Sequence, residues 1–482
     1  MLFRSPTPLA ANTTEGVSTR LDDPVMNYGS GVYANSIELE VQDGSPANIV
    51  YYTTDGSDPT VNSKVFISMS IVSTTTTYKF RAIESGKLPS NIVTNTYFIG
   101  DEHELPVVSI STHPDNLWSD NKGIYVAGTN GISGNCAGSV NWNQDWEIPV
   151  HIEYFEDDNS LGFETGAGAK IYGGCSRIRP QKSLALYFRR EYGNPQLEYK
   201  LFDSKAIDAF ESIVLRNSGI DFNYSHFRDA LMTGLMQGSA VDYQAYKPVV
   251  VYINGEYFGV HNMRDKISEH FVASNHTGVD PNNIDLLEKN KTVKSGTVDN
   301  YQNFLDALEQ ANMADPKEYA AIEEMMDMDN FIEYFAAQIY YANTDWPGNN
   351  IKYWRSRSED GKWRWILYDT DFGFGYKEDI NHNTLDFALE EFGTGWPNPS
   401  WSTFLLRRFM DNDEFVNRFT NRMADLMNTK FEPGFVNEVI DSLSNDLVSE
   451  IPAHYGRWQD YFGNRGLDSW EREISELRAF AD

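Results

Sequence analysis

Cysteine is nearly absent. Only Cys136 and Cys175 occur in 482 residues. No Cys-x-x-Cys or Cys/His ligand spacing is present, which excludes the usual zinc modules. The pair could form a disulfide in an oxidising compartment or stay as two buried thiols. Basic charge is also scarce: 39 Lys and Arg stand against 70 Asp and Glu, a net charge of −31. That balance excludes nucleic acid as a partner, because a phosphate backbone needs basic surface. It suits a solvated surface in salty or extracellular water and is compatible with a basic target protein. No apolar run is long enough to span a membrane. The first 12 residues lack the basic-then-apolar pattern of a secretory signal. A signal removed earlier, or a start within a longer reading frame, would each account for that.

What is abundant is aromatic side chain, 14% of the chain, which points to folded rather than disordered structure. The length suggests two to three domains with ample core. Residues 1–24 read as a flexible lead. Residues 25–100 are all β. Ile37, Leu39 and Val41 alternate with Glu38 and Glu40, and further strands follow at short spacing with turns between them, as in a small sandwich. Asp55-Gly56-Ser57-Asp58-Pro59 could be a calcium loop, but its chemistry is that of a turn. An acidic linker, 101–104, precedes a second region, 105–482.

That region is organised around residues 329–375. Phe331, Phe335 and Ile339 fall at steps of four, and Ile332, Ala336 and Tyr340 repeat the pattern, which predicts an inward-packing helix. Asp329 or Asn330 is the expected cap. Pro347 and Gly348 forbid continuation. Aromatic and β-branched runs at 351–355 and 363–368, joined through Asp360-Gly361, predict a hairpin. Asp345 and Asn350 precede it; Asp369 and Asp371 follow it. A helix delivering an Asp, an Asn five residues later, a hairpin and a metal-binding Asp is the order used in protein kinases. Mg²⁺ with nucleotide phosphates prefers carboxylate oxygens, and a further carboxylate must orient the attacking hydroxyl. Acidic residues that merely cap a helix and fill turns would spell parts of the same text.

Upstream, three strands are expected at 147–155, 162–172 and 182–189. The Gly-containing turn between the last two carries Arg177 and Arg179, which could cradle phosphates. An ordinary hairpin turn reads the same way. Lys182 follows, where a kinase keeps the lysine that contacts the α- and β-phosphates. A helix at 225–237 carries Asp229, a candidate partner for Lys182 or a helix-terminal charge. Asn254-Gly255 marks a hairpin across 248–263, after which Arg264-Asp265-Lys266 opens a short helix through Phe271. Residues 278–314 read as an insert. Helices are expected at 403–427, 435–449 and 469–480.

Residues Tyr51-Tyr52-Thr53-Thr54-Asp55-Gly56-Ser57-Asp58-Pro59-Thr60 with Lys79-Phe80-Arg81-Ala82 resemble the small β-sandwich at the C-terminus of chitobiases, which is appended to many secreted bacterial proteins. The resemblance implies an accessory module, with a carbohydrate or cell-surface ligand as its partner. Residues 105–482 resemble the CotH kinase family. The resemblance rests on Ser176-Arg177 with Pro180-Gln181-Lys182-Ser183, Leu215-Arg216 with Phe227-Arg228-Asp229, the run from Val251 to Val260, Asn343-Thr344-Asp345, and Tyr368-Asp369-Thr370-Asp371-Phe372-Gly373. It implies an α+β fold, an atypical two-lobed kinase-like domain (lobes 105–263 and 264–482) behind the all-β sandwich. It implies a secreted or cell-surface kinase that moves the γ-phosphate of ATP to Ser or Thr of a protein substrate, basic or Ser/Thr-rich, with Mg²⁺ (or Mn²⁺ or Ca²⁺). By that resemblance Asp345 is the catalytic carboxylate. Asp369, Asp371 and Asn350 are the metal group, either Asp serving as main ligand. Lys182, Arg177, Arg179, Asp229 and Asp265 face the nucleotide. The family has Glu where this chain has Asp265. The alternative is a catalytically inactive surface or carbohydrate-associated binding protein that keeps the fold.

Overall fold

The computed structural model describes residues 19–43, 49–134, 136–376, 381–393 and 395–482. The chain divides into two compact units, Met1–Pro195 with Pro248–His261, and Gln196–Lys247 with Asn262–Asp482.

The first unit begins with the sandwich. Its larger sheet has the order Gly31–Tyr33, Val93–Ile99, Thr76–Ile83, Ile49–Thr53, Lys64–Val65; the smaller joins Val25–Met26, Ile37–Asp43 and Met69–Val72. The alternation seen in the sequence decides which faces meet: Ile37 and Leu39 are buried while Glu38 and Glu40 are exposed. Leu39, Val50, Val72, Phe80 and Tyr97 form the core, and Tyr78 stacks on Phe80 at 5.4 Å. Each fully buried large side chain contributes about 2–3 kcal/mol. Asp55 closes a turn, its Oδ1 accepting from Ser57 N at 2.9 Å and Ser57 Oγ at 2.6 Å. Most of the expected lead lies outside the described residues. Its end does not hang free, because Leu21 is buried and its N–H donates to Leu88 O at 3.0 Å.

Next comes the fully buried strand Val107–Ser111. It pairs antiparallel with Ile148–Phe155, and parallel with Lys247–Ile253 on its other side. Ile148–Phe155 continues to Leu161–Tyr172 and then Ser183–Tyr187, both antiparallel. The turn Asn254-Gly255 leads into Glu256–Asp265, with φ of 51° and 82°. A Cβ at Gly255 would lie 2.8 Å from Thr77 N, so the turn also needs glycine for close approach. Cys136 and Cys175 form a disulfide.

In the second unit, Ser212–Arg216 pairs antiparallel with the far end of Glu256–Asp265. A five-stranded sheet has the order Asp242–Tyr243, Arg364–Leu367, Lys352–Ser356, Ile284–Glu288, Thr292–Ser295. The expected hairpin at 351–368 supplies two of these strands. The segment read as an insert supplies two more, with Ile284, Leu286 and Leu287 buried; its polar text hid a central strand. The helix Met328–Tyr340 is buried almost all round, and its cap is Asp327, whose side chain accepts from Asn330 N at 3.0 Å, rather than Asp329 or Asn330. The helix expected at 403–427 is two, Ser400–Phe409 and Asp413–Met427, because Asn412 caps the second through Phe415 N at 2.8 Å. Arg264 and Asp265 end a strand instead of opening a helix; the helix begins at Glu269, capped by Ser268. Pro433–Leu447 and Leu467–Ala481 are the other two long helices toward the C-terminus, with the short helices Ile451–Arg457 and Gln459–Phe462 between them.

Candidate active site

The two strands of the hairpin run antiparallel, so the start of the first and the end of the second share one edge of the sheet. That edge gathers the acidic residues. Asn350 Nδ2 donates to Asp345 Oδ2 at 3.0 Å and to Asp369 O at 3.1 Å. Asn349 Nδ2 donates to Asp345 Oδ1 at 2.9 Å. Asp345 is set by its own loop, its N–H donating to Asn343 Oδ1 at 3.1 Å. Burial pushes the Asp345 carboxyl up to about 6; the two asparagines oppose this and neighbouring Asp369 adds to it.

Backbone strain collects here. Ala342, Asn350, Asp369 and Phe374 all have φ between 48° and 56°. Left-handed backbone is costly for residues other than glycine and persists where the surroundings hold it. The surroundings can be named. Arg216 Nη2 donates to Asp369 Oδ1 at 2.5 Å and to Asp371 Oδ2 at 2.6 Å. Ile220 N donates to the same Asp371 oxygen at 3.1 Å. Asp229, on the helix Arg228–Leu235, accepts at Oδ1 from Thr370 N at 2.9 Å and Thr370 Oγ1 at 3.0 Å. Its Oδ2 takes Arg264 Nη1 at 2.5 Å. Arg228 donates to the carbonyls of Gly373 and Phe374. The loop from Asp369 to Phe374 is thus held by two arginines, Arg216 and Arg228, and by Asp229, which Arg264 fixes in turn.

The electrostatics separate the acids. Burial raises Asp371 well above the ordinary carboxylate range, Arg216 opposing and Asp369 and Asp229 reinforcing. Burial also works on Asp229, but Arg264 and Arg216 outweigh it and hold that carboxyl at about 2. Asp369 is the accessible member, its side chain 33% exposed. Lys352, on the first hairpin strand, sits with Nζ 3.8 Å above the Tyr368 ring and 3.8 Å from Glu288 Oε2. Burial lowers it to about 8, against the pull of Glu288 and Asp369.

Asp345, Asn350, Asp369 and Asp371 therefore form one connected group. Asp265 has a different setting: Oδ2 takes Lys205 at 2.7 Å and Oδ1 takes Ala245 N at 2.7 Å. Both its oxygens are engaged in a buried tie. Asp229 has Arg264 as its close cation, where the sequence offered Lys182. Lys182 belongs to the first unit. Its ammonium donates to the carbonyls of Arg177 at 2.6 Å and Arg179 at 3.1 Å, and lies 3.9 Å from the Trp142 ring centroid. Burial lowers it to about 8. Arg177 turns back on its own loop, donating to Gly173 O at 2.6 Å and Trp142 O at 3.2 Å. Arg179 is half-buried. Sequence reasoning missed two residues of the acidic group's surroundings, Arg216 as its bridging cation and Lys352. Strand alternation in the hairpin could have flagged Lys352 as inward-facing.

The donor set around Asp369 is all oxygen. It carries more carboxylate than Arg216 neutralises, and Asp369 Oδ2 has no protein partner among the described residues. That suits a hard divalent cation such as Mg²⁺.

A family model described as CotH kinase protein matches residues 169–482, and one described as chitobiase/beta-hexosaminidase C-terminal domain matches residues 28–94. Among curated proteins, Invasin CotH2 of Rhizopus delemar is 25% identical over 235 residues, covering 41% of this chain and 39% of the relative. The match thus spans about two-fifths of that relative's length.

Proposed function

Because this chain belongs to the CotH kinase protein family, we propose that it is an ATP-dependent protein kinase acting on Ser or Thr hydroxyls. The observation that carries the reading is the hydrogen-bonded group of Asp345, Asn350 and Asp369 at one edge of the hairpin, backed by Asp371 through Arg216. Asp345 orients the acceptor hydroxyl and takes its proton. A carboxyl raised to about 6 is mostly ionised at neutral pH yet basic enough for that task. Asp369 and Asn350 would hold Mg²⁺ (Mn²⁺ and Ca²⁺ are the other candidates), which when bound neutralises charge on the phosphates of ATP. Arg216 keeps Asp369 and Asp371 at fixed positions, and Lys352 adds positive charge beside Asp369.

The disulfide supports an oxidising, secreted or cell-surface setting. Among the described residues no helix is long and apolar enough to cross a membrane. The acidic surface favours a basic or Ser/Thr-rich protein substrate, and the sandwich module is the candidate for a carbohydrate or cell-surface ligand.

The test separates two roles. Asp345→Ala abolishes transfer but leaves affinity for ATP with Mg²⁺ within a few-fold, because that residue acts on the acceptor. Asp369→Ala loses transfer and at least tenfold in metal-dependent ATP affinity. Calorimetric titration beside a radiolabel transfer assay reads both. Full transfer by both variants would refute the kinase reading.

One observation favours the second reading, an inactive binding protein: Arg216 already occupies one oxygen of Asp369 and one of Asp371. Under that reading ATP with Mg²⁺ gives no thermal stabilisation of the wild type.

A further inference from the structure

The first unit contains a second group of ligating side chains. The strand Ile148–Phe155 carries His151 and Glu153 two residues apart, hence on one face. Glu164, on Leu161–Tyr172, stands directly opposite Glu153 in the antiparallel register. Like charges at directly opposed positions are unfavourable. One ligand atom from each of His151, Glu153 and Glu164 lies within 4.8 Å of the others.

We infer that His151, Glu153 and Glu164 form a binding site for one divalent transition cation of the zinc class. An imidazole with two carboxylates is a donor set for such an ion and a poor one for calcium, which takes oxygens alone. His151 Nε2 is buried and has no hydrogen-bond partner. Ser111 Oγ is in the same condition, and Ser111 lies opposite His151 on the neighbouring strand. A buried polar atom without a partner costs roughly 1–3 kcal/mol, so two on one face are unusual unless something completes them. Glu153 is fully buried, and its carboxylate accepts from the N–H and hydroxyl of Thr96. The Ser30 side chain is a third hydrogen-bond partner of that carboxylate, which leaves about one of its four lone pairs for a metal. The Lys79 ammonium, a cation on this side of the sandwich, is held on Asp58 at 3.0 Å. Glu164 is exposed and is the arm that moves in, since ligand atoms around tetrahedral zinc lie about 3.4 Å apart.

Thr96 belongs to the last strand of the sandwich, so an ion here fastens that strand to the main sheet through Glu153.

The probe is Zn²⁺ alone, titrated calorimetrically into the full chain. The background carries Asp345→Asn and Asp369→Asn, which silence the acidic group of the second unit. One Zn²⁺ is expected per chain, with a higher melting temperature. Glu164→Gln and His151→Gln should each weaken binding at least tenfold and remove the thermal gain. Glu164 is exposed, so its variant keeps the fold and decides the matter if the His151 variant does not. Unchanged affinity and stoichiometry in Glu164→Gln, no Zn²⁺ binding in the background protein, or Ca²⁺ binding as tightly as Zn²⁺, would each overturn the assignment.

Discussion

Gly219 has a φ of 62°, and a Cβ there would lie 2.4 Å from Asp371 Oδ2 and 2.7 Å from Arg216 Nη2. Both space and backbone therefore demand glycine beside the arginine that bridges the two acids. Gly219→Ala should cost roughly 2 kcal/mol or more in urea unfolding and should abolish phosphoryl transfer. An unchanged midpoint would mean that the segment shifts aside without strain. Asp229 makes a prediction about pH. Its carboxyl is held at about 2, below its ordinary value. Between those values the unfolded chain binds the extra proton, so stability rises with pH there. The contribution, on the order of 2 kcal/mol, is complete above about pH 4 and is lost as pH falls towards 2. Unfolding of wild type and Asp229→Asn compared from pH 5 down to pH 2 should show the gap between them narrowing with acid. A gap independent of pH would place Asp229's stabilisation in something other than its charge.

At the scale of elements, the helix Met328–Tyr340 and the two hairpins were legible because each rests on short-range signals, a period near four or an Asn-Gly or Asp-Gly turn. Those elements alone bring Asp345, Asn350 and Asp369 to one edge. What could not be read was supplied from far along the chain. Arg216 reaches Asp369 across 153 positions, and nothing local marks an arginine at a strand end as a bridge. Asp229 looked like a partner for a lysine or for the helix terminus; its buried contact with Arg264 depends on how a strand and a helix pack. The Ile284–Glu288 strand was masked by polar text, including Asp285, which is buried against Arg355 and Arg357 supplied from far along the chain. The misplaced cap is a further case of local ambiguity, since Asp327, Asp329 and Asn330 are all competent. Asp327→Ala should destabilise by about 1–2 kcal/mol, as it loses the bond from Asn330 N and the contact with Arg364. Asp329→Ala should change little. Thermal melts of the two variants side by side distinguish them.

For the molecule as a whole, residues 19–100 own a complete two-sheet core, so that fragment expressed alone should give a β-type far-UV spectrum. Its stability should be lower than within the chain. Phe98, buried in the intact protein, packs on Phe155 and Tyr252, which the fragment lacks. A helical or disordered spectrum would show that the sandwich depends on the sheet beside it. The division of the rest has a consequence for anyone who cuts the gene. The first unit takes back residues 248–261 after the second has begun. A single break anywhere from 195 to 247 therefore leaves the first unit incomplete in one piece and its missing hairpin in the other. The first unit cannot be made whole from either piece alone, so co-expressed halves should behave as a complementation pair.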